Sequence, residues 1–297
     1  ENLTLLKTEE GMDISLANTL ETLSFSKESS SLPFTVFKAT ALGPMSLFKK
    51  KVDKIDFTNS EEETWKRVLN RIDTCCENAK KMGVNLLIDA EESWFQDAID
   101  EIAESLMEKY NKEPPFVYTT LQMYRKDRLE YLKNLHENAT KKGFKIGVKL
   151  VRGAYIEKEN SRALQLGISS PICESKLMTD LNFNAGLDFI LKNLEDCSLF
   201  LGSHNEQSVK RVIDWMVENK IEKDHPHVWF SQLLGMADHI SFNLASEGYS
   251  VVKYLPYGPV SEVIPYLIRR AEENTSVAGQ TSRELALIKK EKQRRNV

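Results

Sequence analysis

From Pro33 onward, short runs of β-branched and aromatic residues alternate with longer stretches of helical period, the pattern of repeated βα units around a parallel sheet. Seven such runs are legible: Phe34 to Thr40, Val84 to Asp89, Phe116 to Leu121, Ile146 to Val151, Leu199 to Gly202, Val228 to Ser231 and Val251 to Leu255. Each is short, as strands buried on both faces are. Between them, Ser60 with Glu63 reads as a capping box, Gly83 and Gly143 read as helix stops just ahead of strands, and Glu206 to Lys220 alternates apolar and charged faces. The expected fold is α/β, a TIM-like β/α barrel with seven recognisable strands and its first strand absent or misplaced. Residues 1–32 form a poorly defined N-terminal segment, where only Leu3 to Leu6 is a weak strand candidate before a polar, serine-rich stretch. Residues 33–297 are expected to form one barrel domain with C-terminal helices.

Composition narrows the function more than the fold. The chain has 297 residues, 41% of them hydrophobic, which suffices for the core of one barrel. Forty basic residues against 44 acidic ones leave a net charge of -4, so nothing general draws the chain to nucleic acid or acidic lipid. Cys75 and Cys76 are adjacent and Cys173 and Cys197 stand alone, which makes neither a disulfide framework nor a Cys-x-x-Cys metal spacing. They read as reduced thiols of a cytosol-like compartment. No stretch approaches the roughly 18 to 20 apolar residues that span a bilayer. The start at Glu1 rather than Met reads as a trimmed or processed N-terminus, which leaves any targeting signal out of view. Gly-x-Gly-x-x-Gly, P-loop, His-Glu-x-x-His and Gly-x-Ser-x-Gly patterns are all missing, which disfavours Rossmann nicotinamide binding and kinase-type chemistry. His136, His204, His225, His227 and His239 do not group with carboxylates, so no metal site is expected.

In a β/α barrel the chemistry gathers at the C-terminal ends of the strands, where the following loops converge. Here those ends carry Lys38, Asp89-Ala90-Glu91, Gln122, Lys149 with Arg152, Ser203-His204-Asn205, Gln232 and Tyr254. Burying such groups without partners costs about 2 to 7 kcal/mol each on transfer scales, so a polar occupant of the mouth is expected. Taken singly, each has an ordinary structural explanation: His204 as a satisfied core histidine, Asp89 as an N-cap for the helix containing Trp94 and Phe95. Seven together argue for a site. Tyr266, Arg269, Arg270 and Glu273 share one helical face, and two adjacent arginines suit a small carboxylate whose apolar body packs beside Tyr266. On spacing alone an exposed helix laced by an Arg269 to Glu273 pair, worth about 0.3 to 0.5 kcal/mol, explains them as well or better.

Read in order, the strand-end words resemble those of the proline dehydrogenase family from about Pro33 to the C-terminus. They are Phe37-Lys38-Ala39-Thr40-Ala41-Leu42-Gly43, Asp89-Ala90-Glu91, Lys149-Leu150-Val151-Arg152-Gly153-Ala154-Tyr155, Ser203-His204-Asn205, Gln232-Leu233-Leu234-Gly235-Met236 and Tyr254-Leu255-Pro256-Tyr257-Gly258, followed by Tyr266 to Asn274 in the last helix. The resemblance implies a flavoenzyme of proline catabolism that oxidises L-proline to 1-pyrroline-5-carboxylate by hydride transfer to FAD and passes the electrons to a membrane quinone. It implies that Lys38, Arg269 and Arg270 bind the proline carboxylate and that Asp89, Leu233, Tyr254 and Tyr266 line the ring pocket. It implies flavin contacts at Gln122, Lys149, Arg152, Gly153, Ser203, His204, Gln232 and Glu273. Lys38, Asp89 and Arg152 are the expected catalytic residues, with Arg152 near the reactive edge of the isoalloxazine.

The resemblance is to the stand-alone bacterial form, cytoplasmic and peripherally associated with the inner face of the membrane, with a separate pyrroline-5-carboxylate dehydrogenase taking the product. Lys289, Lys290, Lys292, Arg294 and Arg295 are candidates for that membrane contact, although a solvated, frayed helix explains them more simply. The family has an additional N-terminal strand whose loop helps close the site, and some members carry Arg where Lys149 stands here; lack of that strand predicts a notched barrel edge. Three rival readings remain. A hydroxyproline dehydrogenase needs room for a hydroxyl, which the bulk of Tyr254 opposes. A Schiff-base aldolase would use Lys149 as its nucleophile. A barrel that binds proline or flavin without turnover is the third.

Overall fold

The computed structural model describes residues 8–29, 31–112 and 114–256, together with 260, 263–264, 267–268, 289–290 and 292–295. The fold is α/β and TIM-like: seven parallel strands alternate with helices in chain order. The chain forms two compact units, Glu1–Leu201 and Gly202–Val297.

In the first unit, β1 (Phe34–Lys38) pairs with β2 (Asn85–Asp89) in a register that sets Lys38 beside Asp89. β2 pairs with β3 (Val117–Gln122), β3 with β4 (Ile146–Val151), and β4 with β5 (Cys197–Gly202). β3 is buried along its whole length, and Leu86, Leu87, Val148, Leu150, Leu199 and Leu201 are fully enclosed, as expected of parallel strands covered on both faces. All seven sequence runs are strands, with ends displaced by two residues or fewer. β1 stops at Lys38 because Ala39–Ala41 is a 3-10 turn rather than more strand.

Among the described residues the helices of this unit are α1 (Glu9–Glu28), α2 (Met45–Val52), α3 (Asn59–Met82), α4 (Ser93–Tyr110), α5 (Arg128–Lys142), α6 (Ile156–Leu166) and α7 (Lys176–Lys192). Gly83 and Gly143 end α3 and α5 at φ +70° and +68°, a backbone state that costs glycine nothing. The capping box lies two residues earlier than the sequence suggests. Thr58 and Glu61 exchange hydrogen bonds, Thr58 N to Glu61 Oε2 at 2.9 Å and Glu61 N to Thr58 Oγ1 at 3.3 Å. Both Thr58 and Ser60 head the required spacing, and Lys50, 2.6 Å from Glu61, fixes the earlier start. Glu63 instead pairs with Lys66.

The serine-rich N-terminal stretch is not irregular: it forms the 20 residues of α1. Thr8 caps it by accepting from Gly11 N, and Ser15, Thr19, Thr22 and Ser24 turn their hydroxyls onto carbonyls four residues back. Met12 and Leu23 are buried, and the Arg71 guanidinium of α3 ties the helix down by binding Glu9 and Asp13. Leu3 to Leu6 lie outside the described residues.

In the second unit, α8 (Glu206–Glu218) precedes β6 (Val228–Leu233), and α9 (Asp238–Ser246) connects β6 to a parallel β7 (Val251–Tyr254), with Leu233 beside Tyr254. No helix among the described residues is long and apolar enough to cross a membrane.

Candidate active site

The strand ends of the first unit are charged, and nearly every charge is matched. Lys149, 8% exposed within β4, donates to Asp89 Oδ1 of β2 at 2.6 Å. Asp89 therefore serves as counter-ion to Lys149 and not as a helix cap; Glu92 is the N-cap residue of α4, and Glu159 of α6 accepts from Ser93 N and Oγ at 2.6 Å each. Lys38 donates to the Tyr155 hydroxyl at 2.8 Å. The Lys38 side chain keeps contact with solvent while protein groups crowd its ammonium. Desolvation opposes the charge there, but Tyr155, Asp89 and Glu91 outweigh it and raise the lysine pKa. Burial raises the Tyr155 pKa, against the pull of Lys38, so the phenol stays protonated.

Arg152, just past β4, is aimed by α7: its Nε donates to Asp180 Oδ1 at 2.7 Å, and its guanidinium lies 4.2 Å from the centroid of the Phe183 ring. Partial burial opposes the charge on Asp180, yet Lys176 and Arg152 hold its carboxyl below the usual range. Gly153 has φ +135°, and a Cβ there would fall 2.5 Å from the Tyr124 ring. Packing against Tyr124 is thus enough to require glycine, with no cofactor needed to explain it.

Beneath these residues runs a hydrogen-bonded layer. Gln122, at the end of β3, donates through Nε2 to Glu91 O at 2.8 Å and accepts through Oε1 from Ala154 N at 3.1 Å. The Glu91 carboxylate, 4% exposed as a residue, accepts from Thr40 N at 3.0 Å and from the Thr40 hydroxyl. Glu91 N donates to Gln96 Oε1 at 2.7 Å, Gln96 Nε2 donates to Asp100 Oδ1 at 2.8 Å, and Asp100 meets Arg128 at 2.6 Å. Desolvation raises the pKa of Glu91 and pushes that of Asp100 up to about 6, despite cationic neighbours in both cases.

The second unit brings its candidates together with neutral bonds. Gln232, at 1% exposure, donates to Ser203 O at 3.1 Å and accepts from the Ser241 hydroxyl at 2.8 Å. His204 Nε2 accepts from Leu233 N at 3.0 Å, which in the neutral ring leaves the proton on Nδ1. Ser203 Oγ accepts from Asn205 N at 3.1 Å, and Tyr254 O accepts from Leu234 N at 3.0 Å. Lys253, which sequence reasoning passes over, donates to Met236 O at 2.7 Å and pairs with Asp238.

Sequence reasoning also misses Tyr155, Asp180 and the structural use of Glu91. Tyr155 and Glu91 lie inside motif words but carry no local sign of their partners; Asp180 sits in mid-helix, where only the fold shows what it faces. Tyr266, Arg269, Arg270 and Glu273 lie outside the described residues.

Comparison with known proteins gives this arrangement a family. The proline dehydrogenase family model matches residues 5–283. The carbapenem antibiotics biosynthesis protein CarD of Pectobacterium carotovorum subsp. carotovorum is 33% identical over 285 residues, which cover 96% of this chain and 73% of that protein. Human proline dehydrogenase 1, mitochondrial, is 40% identical over 235 residues, 78% of this chain and 39% of that protein, so the chain spans well under half of its length. A hydroxyproline dehydrogenase of Xenopus laevis is 36% identical over 256 residues, 84% of this chain and 55% of that protein. Proline utilization A from Bdellovibrio bacteriovorus, solved after inactivation by N-propargylglycine, shares the fold with a TM-score of 0.79 at 23% identity, over 92% of this chain and 29% of that one. Since the family model and relatives well above 30% identity span most of the chain, the chain belongs to the proline dehydrogenase family.

Proposed function

We propose that this chain oxidises L-proline to 1-pyrroline-5-carboxylate, with FAD as the hydride acceptor. The observation that carries the reading is the charged set at successive strand ends of the first unit: Lys38 on Tyr155, Asp89 on Lys149, and Arg152 on Asp180. Gln122, Lys149 and Arg152 offer an amide, an ammonium and a guanidinium, the donor chemistry that suits a flavin whose ring gains negative charge on reduction. These three, with Gly153, Ser203, His204, Gln232 and Glu273, are the residues that would hold it. When bound, FAD supplies the two-electron acceptor that no side chain provides.

The protein's own contribution is binding and polarisation. Lys38, kept cationic by its surroundings, would bind the proline carboxylate together with Arg269 and Arg270, while Asp89, Leu233, Tyr254 and Tyr266 bound the ring. Proline must react with its amine unprotonated. As the hydride leaves C5, the nitrogen lone pair forms the C=N bond, so two electrons and one proton leave as hydride and a second proton goes to solvent. A quinone is the proposed final acceptor, which calls for contact with a membrane surface; the exposed Lys289, Lys290, Lys292, Arg294 and Arg295 are candidates for it. A separate dehydrogenase would consume the product. Hydroxyproline is the second reading, favoured by the Xenopus relative and opposed by the bulk of Tyr254 at the end of β7.

The test is an absorption spectrum of the purified chain, followed by anaerobic addition of L-proline and, separately, of hydroxyproline. Flavin absorbance bleached by proline and much less by hydroxyproline is the expected result. The reverse preference moves the substrate to hydroxyproline. A chain that takes up no flavin even with FAD added overturns the proposal, and a borohydride-trapped adduct on Lys149 would turn it toward an aldolase.

A further inference from the structure

We infer that Glu91 is a positioning residue, whose buried carboxylate fixes the end of β1 so that Lys38 meets Tyr155 and the substrate carboxylate. The inference rests on the proline reading above. Thr40 stands two residues beyond Lys38, within the 3-10 turn that ends the strand, and Glu91 accepts from both its backbone N–H and its hydroxyl. These bonds cross from the loop after β2 to the loop after β1 and hold the turn against continuing as strand. Through its main chain the same residue also ties Gln96 on one side and Gln122 on the other. Gln122 in turn holds the Ala154 amide, one residue before Tyr155. Both members of the Lys38–Tyr155 contact therefore hang from Glu91, Lys38 through its carboxylate and Tyr155 through its carbonyl.

A simple structural tie accounts for the main-chain bonds, which any residue would make. It does not account for an ionisable side chain at this place. Burial at 4% exposure disfavours the carboxylate, and a neutral amide would still accept one of the two Thr40 bonds. What the amide loses is the second acceptor and the negative charge within the field of Lys38. A buried carboxylate that burdens the fold, placed where it holds the turn two residues beyond Lys38, is what separates positioning from packing.

The variants are Glu91→Gln, Thr40→Val and Thr40→Ser, and the readouts are Tm, KM and kcat for proline, and amide hydrogen exchange at Thr40 in the cofactor-free chain. Glu91→Gln is expected to leave Tm unchanged or higher, to speed exchange at Thr40, and to raise KM about tenfold, equal to ~1.4 kcal/mol, with kcat changed far less. Thr40→Val should reproduce part of the KM effect and Thr40→Ser should restore it. A wild-type chain that ignores proline overturns the functional reading and this inference with it. A wild type that responds, while Glu91→Gln matches it in KM and in Thr40 exchange, overturns this inference alone. So does a Glu91→Gln loss in which Tm, kcat and KM all worsen together.

Discussion

Gln122 at the end of β3 and Gln232 at the end of β6 do the same work in different surroundings. Each spends both ends of its amide bridging two strand-end loops, Gln122 between Glu91 O and Ala154 N, Gln232 between Ser203 O and the Ser241 hydroxyl. Around Gln122 the charge is enclosed: at the side chain Asp89 is 14% exposed, its partner Lys149 10%, and Asp100, on α4, 4%. Around Gln232 the bonds are neutral, and the ion pairs of that unit use half-exposed acids, Asp238 at 53% and Glu206 at 41%. The first unit therefore fixes both position and electrostatic potential, and must balance each charge it removes from water. The second fixes position with little dependence on charge.

The largest expected effect comes from unbalancing the first unit. Asp89→Ala leaves Lys149 without its 2.6 Å carboxylate and should cost about 3 to 5 kcal/mol, read as a fall in the urea midpoint. The double variant Asp89→Leu with Lys149→Met should recover much of that loss, because no uncompensated charge remains. If the single variant costs less than about 1 kcal/mol, as surface pairs do, the claim of enclosed charge fails.

Next comes a pH dependence confined to the first unit. Desolvation pushes Asp100 up to about 6 from an ordinary value of 3.8, against the pull of Arg128 and Gln96. A carboxyl whose folded pKa is raised contributes stability that is complete below its ordinary value and is lost as pH rises through about 6. Asp100→Asn, which has no such proton to lose, should gain on the wild type between about pH 4 and about pH 6 and keep that gain at higher pH. The bound on that relative gain is ~3 kcal/mol, from a shift of roughly two units at 1.36 kcal/mol each. Thermal melts across that range check it, and a difference that stays flat rules Asp100 out as the titrating group.

The same contrast explains what could be read from sequence. Strands were legible because burial on both faces writes itself as short runs such as Ile146 to Val151, and Gly83 and Gly143 were legible because left-handed backbone selects glycine. α1 was not, because its buried face mixes Met12 and Leu23 with Gly11, Thr19 and Ser26, so no apolar stripe marks it, and Arg71, which grips Glu9 and Asp13, stands about 60 residues away in the chain. The positions of Lys38, Asp89, Lys149 and Arg152 were legible as strand ends, yet their pairings were not. Lys38 and Tyr155 are separated by 117 residues, and nothing local marks which carboxylate will face which cation. Glu91 was hidden in the opposite sense, since a glutamate beside Asp89 reads as one more solvated acid until its 4% exposure is known.

The smallest effect tests the neutral side of the comparison. Ser241 is 3% exposed, and its hydroxyl donates to Gln232 Oε1 at 2.8 Å. Ser241→Ala leaves that buried acceptor without its donor, a loss of about 1 to 2 kcal/mol, since the group was neutral and the cavity opened is a single oxygen. No group in the Gln232 to Ser203 and Ser241 network titrates, so the loss should be the same from about pH 4 to about pH 6, where the Asp100→Asn difference changes most. A Ser241→Ala loss that varies with pH by as much as Asp100→Asn would mean that the second unit is also organised by charge. The division between the two glutamines would then lie only in their partners and not in the physics that holds them.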